Sequence, residues 1–530
     1  MKTFNKLIIA LIGTMPVLTG CIEEVQPTNA VTQAQLNASS KATEALVWAM
    51  PSYQNSFDIL GQDQAYDWGY GSLMHIRDVM TEDMAIMSSG YDWYTAWEFN
   101  RYLGPQYARQ GFIWQIFCKM ILTANNVIGA IDEESANETQ KAYLGMGYAY
   151  RALYYLDMAR MYEFLPNSAV PAVSDGGHDI EGLTVPIVTE KTTEEEARNN
   201  PRVSHEVMAE FILSDLQKAE ELIGNFVPSS KTLPDLSVVY GLYARLYMWN
   251  EDYENAALYA GKAIVNFSGS ITTEDEWLNT SSGFNDLSTP SWMLGSQQMK
   301  EDAAVQSALL NWTSWVSNET TFGYACAGPM MMIGKSTYDA ISDDDFRKLS
   351  YVAPEGSPLS GKEQYVNLAG LEDEGVYLEE YCSLKFRPGS GNIADFNVAC
   401  ATAYPLMRIE EMYLIQAEAE AHSNPANGKV LLEEFMQYRC PGYTCTASDV
   451  VKEIVFQKRV ELWGEGQSYF DIKRLNYPVT RYYEGTNFQE DAQINTTDRP
   501  AWMNIVIVRS EASNNNALQG WNNPDPSGAY

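Results

Sequence analysis

Apolar residues fall at spacings of three and four through long stretches of the chain, as amphipathic helices require. Ile113, Phe117, Ile121, Ala124 and Ile128 trace one such stripe. A second runs from Tyr143 to Tyr162, with Ala149, Ala152, Leu156 and Ala159 on a small-residue face. A third, His205 to Ile223, follows Ser204, a good N-cap, and carries Val207, Phe211, Leu216 and Ala219. Val238 to Trp249 and Tyr253 to Val265 predict a helical pair joined by Asn250-Glu251-Asp252. Further helices are expected over Leu406 to Ala421 and Val450 to Leu462. Leu144-Gly145 with Tyr148, and Ala256, Ala260 and Ala263, fit pieces of the tetratricopeptide pattern, where small residues let paired helices approach closely. The expected fold class is mainly α, built from tetratricopeptide-like helical repeats.

Two regions break this periodicity. Residues 54–105 are rich in Gly, Tyr and Trp, and residues 268–403 are long, polar and loop-like. Loops of such length are uncommon unless functional or disordered, and their aromatic content argues against disorder. The expected organisation is one domain over 41–530. Its helical core covers about 106–265 and 404–475, and the loop-rich insertions at about 54–105 and 268–403 form a ligand-binding side.

The first forty residues follow a different logic. Lys2 and Lys6 precede a mostly apolar stretch, Leu7 to Leu18, too short to span a bilayer, which needs about 20 residues. Leu18-Thr19-Gly20-Cys21 resembles a bacterial lipoprotein processing site, which implies a signal peptide over 1–20 and lipidation of Cys21. Ile22-Glu23-Glu24 resembles a surface-export signal, and the polar residues of 21–40 suit a tether. No second apolar run of spanning length follows, so the expectation is a chain anchored to a membrane by lipid.

Charge narrows the partners. With 69 acidic and 35 basic residues the formal net charge is -34, which disfavours nucleic acid and anionic lipid surfaces, since both call for basic patches. Export permits disulfides; Cys440 and Cys445 flank a Pro-Gly turn and could close a small loop, whereas Cys118 lies in an apolar helical pattern and is expected to be buried.

No catalytic constellation is complete. His205-Glu206 begins a zinc-binding H-E-x-x-H pattern, but Ala209 takes the second histidine's place and a helix start is the better reading. Gly328 to Ser336 ends like a phosphate loop, yet its glycines are separated by five residues including Pro329. The four histidines are scattered. No cofactor or metal is expected. Arg408 and Glu411 at i, i+3 suggest an ion pair, and Asp343-Asp344-Asp345 a solvated helix entry. A glycosidase carboxylate pair is the alternative of another class, because carboxylates are abundant; a helical scaffold that binds only proteins is a third.

The aromatic clusters are better candidates. Flat rings cover the apolar faces of sugars at low entropic cost, and Tyr and Trp add a hydrogen-bonding edge. Tyr91, Trp93, Tyr94 and Trp97 crowd one irregular region, and Trp312, Trp315 and Tyr324 lie in the other. These seven are the expected ligand-binding residues, against the plainer reading that they anchor long loops to the core.

The C-terminal half carries the most specific motifs. Leu406-Met407-Arg408-Ile409-Glu410-Glu411-Met412-Tyr413-Leu414-Ile415-Gln416-Ala417-Glu418-Ala419 resembles a helix of the SusD/RagB family. Gln457-Lys458-Arg459-Val460-Glu461-Leu462, with Glu465-Gly466 and Asp471-Ile472-Lys473-Arg474, is similar to that family's following segment, in the right order. Tyr148 to Ala152, a strand at Val185 to Val188 and Asn522-Asn523-Pro524 also have counterparts. Gln457, Lys458 and Ser468 depart from the family's usual Glu, Arg and Arg, which bears on how a buried ion-pair network is built. The resemblance implies a non-enzymatic surface lipoprotein that passes an oligosaccharide, or in some members a peptide, to a TonB-dependent SusC-like outer-membrane transporter. It further implies that Thr81-Glu82-Asp83-Met84 precedes ligand-contacting loops and that Tyr324 takes the place of a stacking aromatic.

Overall fold

The computed structural model describes residues 40–530. The signal peptide, Cys21 and the tether through residue 39 lie outside the described residues. Helices α1 (Ser40–Tyr53) and α2 (Tyr70–Val79) and strand β1 (Met84–Ile86) open it. Helices α3 (Ala108–Ala130), α4 (Glu138–Tyr162), α5 (His205–Ile223), α6 (Leu236–Trp249) and α7 (Tyr253–Asn266) follow. Strands β2 (Trp292–Gln297), β3 (Met331–Ile333) and β4 (Ala403–Arg408) are spread through the irregular region. Helices α8 (Ile409–Ser423), α9 (Pro425–Met436), α10 (Val450–Glu461) and α11 (Ser468–Arg474) complete the set, with short helical turns in the loops.

Each helix from α3 to α8 packs on the next, and α8 also receives α9 and α10. This mainly helical stack is consistent with tetratricopeptide-like repeats. Local chemistry sets the boundaries. Asn137 and Gln140 form a reciprocal capping box that starts α4. Ser204 accepts the Val207 N–H to start α5 where the sequence predicts it. Gly145 lets α5 approach closely: a Cβ there would lie 2.8 Å from Ile223 Cγ1 and 3.0 Å from its backbone nitrogen. One continuous apolar core runs from Val47 to Leu518, and a smaller one lies among α8, α9 and α10. Among the described residues no helix is long and apolar enough to cross a membrane.

Several expectations need correction. The helix expected from Leu406 starts at Ile409, because Ala403 to Arg408 pair as a strand with β2. Val185 to Val188 form no strand; Val188 instead exchanges backbone hydrogen bonds with the Tyr155 hydroxyl. The 54–105 stretch, expected to be irregular, contains the fully buried α2. Cys118 is exposed as a residue, although its thiol lies toward Tyr155 and Tyr162 of α4. Cys440 and Cys445 are both buried and unpaired, the first turned to Ser342 and the second to Tyr443. Asp345 does enter a helical turn, Phe346–Ser350, but it is buried against the Arg347 guanidinium rather than solvated.

The expected Arg408–Glu411 pair is replaced by a larger knot. Arg408, fully buried at the end of β4, reaches Glu410 and Glu461 at 3.0 Å and Glu465 at 2.9 Å. Glu411 instead holds Arg245 of α6 at 2.6 Å. Glu461 also accepts from Arg439 at 2.8 Å and Arg347 at 3.1 Å. Burial pushes the Glu461 carboxyl up, but Arg439, Arg408 and Arg347 outweigh it and hold it well below the usual carboxylate range. Two of the three departures from the family pattern find partners here. Gln457 Oε1 accepts from Arg347 Nη2 at 2.5 Å, and Lys458 bridges Glu418 at 2.9 Å and Asp471 at 2.8 Å. Ser468, small and buried, opens α11.

Candidate ligand-binding surface

Strands β1 and β3 bring the two aromatic-rich regions together. Met84, Ala85 and Ile86 pair antiparallel with Ile333, Met332 and Met331. Just beyond, the Met87 N–H donates to the Met330 carbonyl at 3.0 Å. Gly328 has φ of 130°, and a Cβ there would lie 2.6 Å from Ser89 Cβ, so only glycine lets the two loops meet. Asp92 closes the first loop by accepting from the Ser89 N–H at 3.0 Å and its hydroxyl at 2.8 Å. Tyr91 stands at its tip, 56% exposed, and Trp93 is half-buried behind it.

The second loop is set by a short helix, Trp312–Val316, capped by the Asn311 side chain, which accepts the Ser314 N–H. Ser314 Oγ in turn accepts the Tyr324 N–H at 2.9 Å. This lays the half-buried Tyr324 ring on Trp315, with centroids 4.2 Å apart and planes 13° apart. Trp315 donates from Nε1 to the Ala65 carbonyl at 3.1 Å and meets Tyr94 edge-on at 4.8 Å. Tyr94 continues to His75 at 4.3 Å and Trp97 at 5.6 Å, and Trp97 to Tyr66 at 5.2 Å. Trp312 stacks on Tyr404 at 4.7 Å. Offset and edge-on contacts of this kind add to the stabilisation from area burial.

Of the seven expected ligand-binding residues, Tyr91, Trp93 and Tyr324 reach the surface. Tyr94, Trp97, Trp312 and Trp315 are at most 2% exposed. They form the wall behind the surface, a correction to the expectation, and anchor the loops to the main apolar core. Thr81 to Met84 also has an anchoring part: Arg459 pairs with Asp83 at 2.6 Å and Glu82 at 2.7 Å, and Trp463 Nε1 donates to the Asp83 carbonyl. His75, Tyr66 and Tyr404 were not foreseen as members of the wall. Leu73, Ile76 and Met80, spaced by three and four, are the signal that places His75 on a buried helix.

The rings of the wall are themselves uncharged, with the Arg109 guanidinium lying over Tyr66 and Trp97 at 6.0 and 5.9 Å. Burial holds the His75 imidazole down at about 3, and neither ring nitrogen has a partner among the described residues. Burial raises the Tyr94 hydroxyl well above its usual value, although Ser72 and Trp68 hydrogen-bond it at 2.8 Å. Burial and the nearby Tyr91 also raise Tyr324. Glu98 is pushed up to about 8 by burial, and Asp78 is raised for the same reason. Both carboxyls are buried and do not reach the accessible rings. Among the described residues no group of three or more His, Cys, Asp or Glu side chains is placed to hold a metal. The arrangement is suited to stacking on an uncharged, ring-shaped ligand.

Comparison with known proteins agrees with the motifs. Residues 24–248 match a family described as starch-binding and associating with the outer membrane, and residues 374–519 match the SusD family. The chain belongs to the SusD/RagB-like family. SusD-like protein P38 of Formosa agariphila is 23% identical over 514 residues, covering 90% of this chain and 93% of that protein. A SusD-like carbohydrate-binding protein from Bacteroides vulgatus superposes with a TM-score of 0.70 at 22% identity, over 90% of this chain and 97% of the other. A laminarin-binding SusD-like protein superposes with a TM-score of 0.60 at 16% identity, over 92% and 99%. The SusD-like fold is common to all of these structures.

Proposed function

We propose that this SusD/RagB-like chain captures an oligosaccharide and delivers it to a TonB-dependent, SusC-like outer-membrane transporter. A lipid on Cys21 would hold it at the cell surface, with the 54–105 and 268–403 regions as its ligand-binding side. The observation that carries the reading is the Tyr324 ring, half-buried and fixed on Trp315 at 4.2 Å beside loops that expose Tyr91 and Trp93. A ring fixed from behind loses little entropy when it covers a sugar face. The protein works by binding, without catalysis. The family description, with its starch and outer-membrane terms, supports the reading, as does the laminarin-binding neighbour.

The test is a native pull-down from outer membranes, with titration of the purified chain against glycan and peptide panels. Recovery of a TonB-dependent channel, saturable glycan binding, and a tenfold or greater loss in Tyr324→Ala are expected. Peptide binding without glycan binding would move the assignment to a RagB-like peptide carrier. Release of reducing sugar from the panel would overturn the non-enzymatic reading in favour of a glycoside hydrolase.

A further inference from the structure

Beyond the end of α4, the loop over 172–183 meets the C-terminal tail, and neither contributes a residue to the aromatic surface. The Ser174 hydroxyl donates to the Gly520 carbonyl at 2.6 Å and accepts the His178 N–H at 3.1 Å. The Ser174 N–H donates to the His178 carbonyl at 2.9 Å, which closes the loop. A Cβ on Gly176 would lie 2.4 Å from the Gly520 carbonyl oxygen, so only glycine allows this approach. Buried Arg202 holds the tail in turn, donating to the Trp521 carbonyl at 2.9 Å and to the Asn523 side chain at 2.8 Å. These contacts lay the His178 ring flat on the Trp521 ring, with centroids 4.0 Å apart and planes 4° apart.

Both rings are half-buried, and their polar atoms are left open. Most of the thirteen indole N–H groups either donate to the protein, as in Trp68, Trp249 and Trp463, or are sealed inside it, as in Trp97, Trp292 and Trp312. Trp521 Nε1 does neither among the described residues, and the two ring nitrogens of His178 behave alike. Trp93, at the aromatic surface, shares this property. A half-buried ring fixed flat on a second ring, where two loops meet through a glycine, thus occurs twice in the molecule, at Tyr324 and here. Charge narrows what the second pair could take. Residues 161–190 and 510–530 contain no Lys or Arg, while Asp175, Asp179 and Glu181 are exposed along the loop. Arg202 is buried and spent on neutral oxygens.

We propose that the His178–Trp521 stack is a second, separate platform for an uncharged sugar ring of a glycan. The open part of the pair covers the apolar face of the sugar, and Trp521 Nε1 and the His178 nitrogens meet its hydroxyls. Both loops are already fastened, so little entropy is lost in ordering the rings. The carboxylates along the loop, with no free cation to answer them, select against uronic and sulfated sugars. The inference rests on the proposed function for the class of ligand only and makes no use of Tyr324.

The test is fluorine NMR of the full chain in detergent, with fluorotryptophan incorporated and the Trp521 resonance identified by its loss in Trp521→Phe. The probes are soluble starch, laminarin, xylan and galactomannan, with polygalacturonate as the anionic counterpart. At least one neutral glycan should move the Trp521 resonance saturably, and the shift should persist in Tyr324→Ala. His178→Ala should weaken that response about tenfold, the size of one aromatic contact. A Trp521 resonance that no neutral glycan moves would overturn the assignment, as would a stronger response to polygalacturonate. A shift that vanishes in Tyr324→Ala would do the same, because it would report binding at the aromatic surface. Neutral-glycan binding that depends on Tyr324 and leaves Trp521 silent sinks the second platform alone. A Trp521 response without any binding that depends on Tyr324 supports the platform and sinks the proposed placement at Tyr324.

Discussion

The aromatic wall behind Tyr324 and the ionic knot around Glu461 are both buried, and both join segments far apart in the chain. They do so by opposite means. The rings of the wall are uncharged: His75 is held neutral and the tyrosine hydroxyls stay protonated. The knot gathers Arg347, Arg408 and Arg439 on one carboxylate. A ring lost from the stack costs the cavity it leaves, whereas a buried charge left without its partner carries an electrostatic penalty. The proposed ligand surface grows from the neutral region, and the charged one ties the scaffold.

The strongest way to break the comparison is Glu461→Ala. It takes from three buried guanidinium groups the carboxylate they share, leaving Asp345, Glu410 and Glu465 to pair with them, and should cost about 3–5 kcal/mol in denaturant unfolding; a cost below about 1 kcal/mol would mean that the knot contributes no more than surface pairs do. The same carboxyl sets an acid limit. Its folded pKa lies below the unfolded value of 4.5, so its stabilising contribution is present above that pH and is lost as pH falls further. Trp315→Ala should cost about 3 kcal/mol or more through the cavity it leaves, and should also weaken glycan binding. Tyr324→Ala should weaken binding with little effect on unfolding. If the two variants lost stability equally, the division into wall and surface would fail.

Glu98→Gln tests the wall's neutrality. Its folded pKa of about 8 exceeds the unfolded value of 4.5, so the wild-type carboxyl destabilises progressively as pH rises between them. The variant should gain up to about 4 kcal/mol at pH 8 and nothing at pH 4. The smallest effect is expected for Tyr91→Ala, within about 0.5 kcal/mol in stability because the ring is exposed. Its contribution should be visible only in ligand titration.

The helices at Ala108–Ala130, Glu138–Tyr162 and His205–Ile223 were legible because their stripes and caps are local signals. The family was legible because its motifs lie close together between Leu406 and Arg474. Which aromatics reach the surface was not legible. That depends on the pairing of β1 with β3, and three-residue strands separated by hundreds of positions leave no periodic trace. Arg408 was misassigned for a related reason. Helical spacing linked it to Glu411, while strand pairing turned it toward Glu461. Proximity along the helix lost to proximity across the fold.

The Arg459 grip on Glu82 and Asp83 joins residues 377 and 376 positions apart. A nascent or truncated chain that stops before Arg459 lacks the fastening that holds β1, and with it the loop that carries Tyr91 and Trp93. Capture is thereby made a property of the finished molecule. A broken copy would present that loop unfastened.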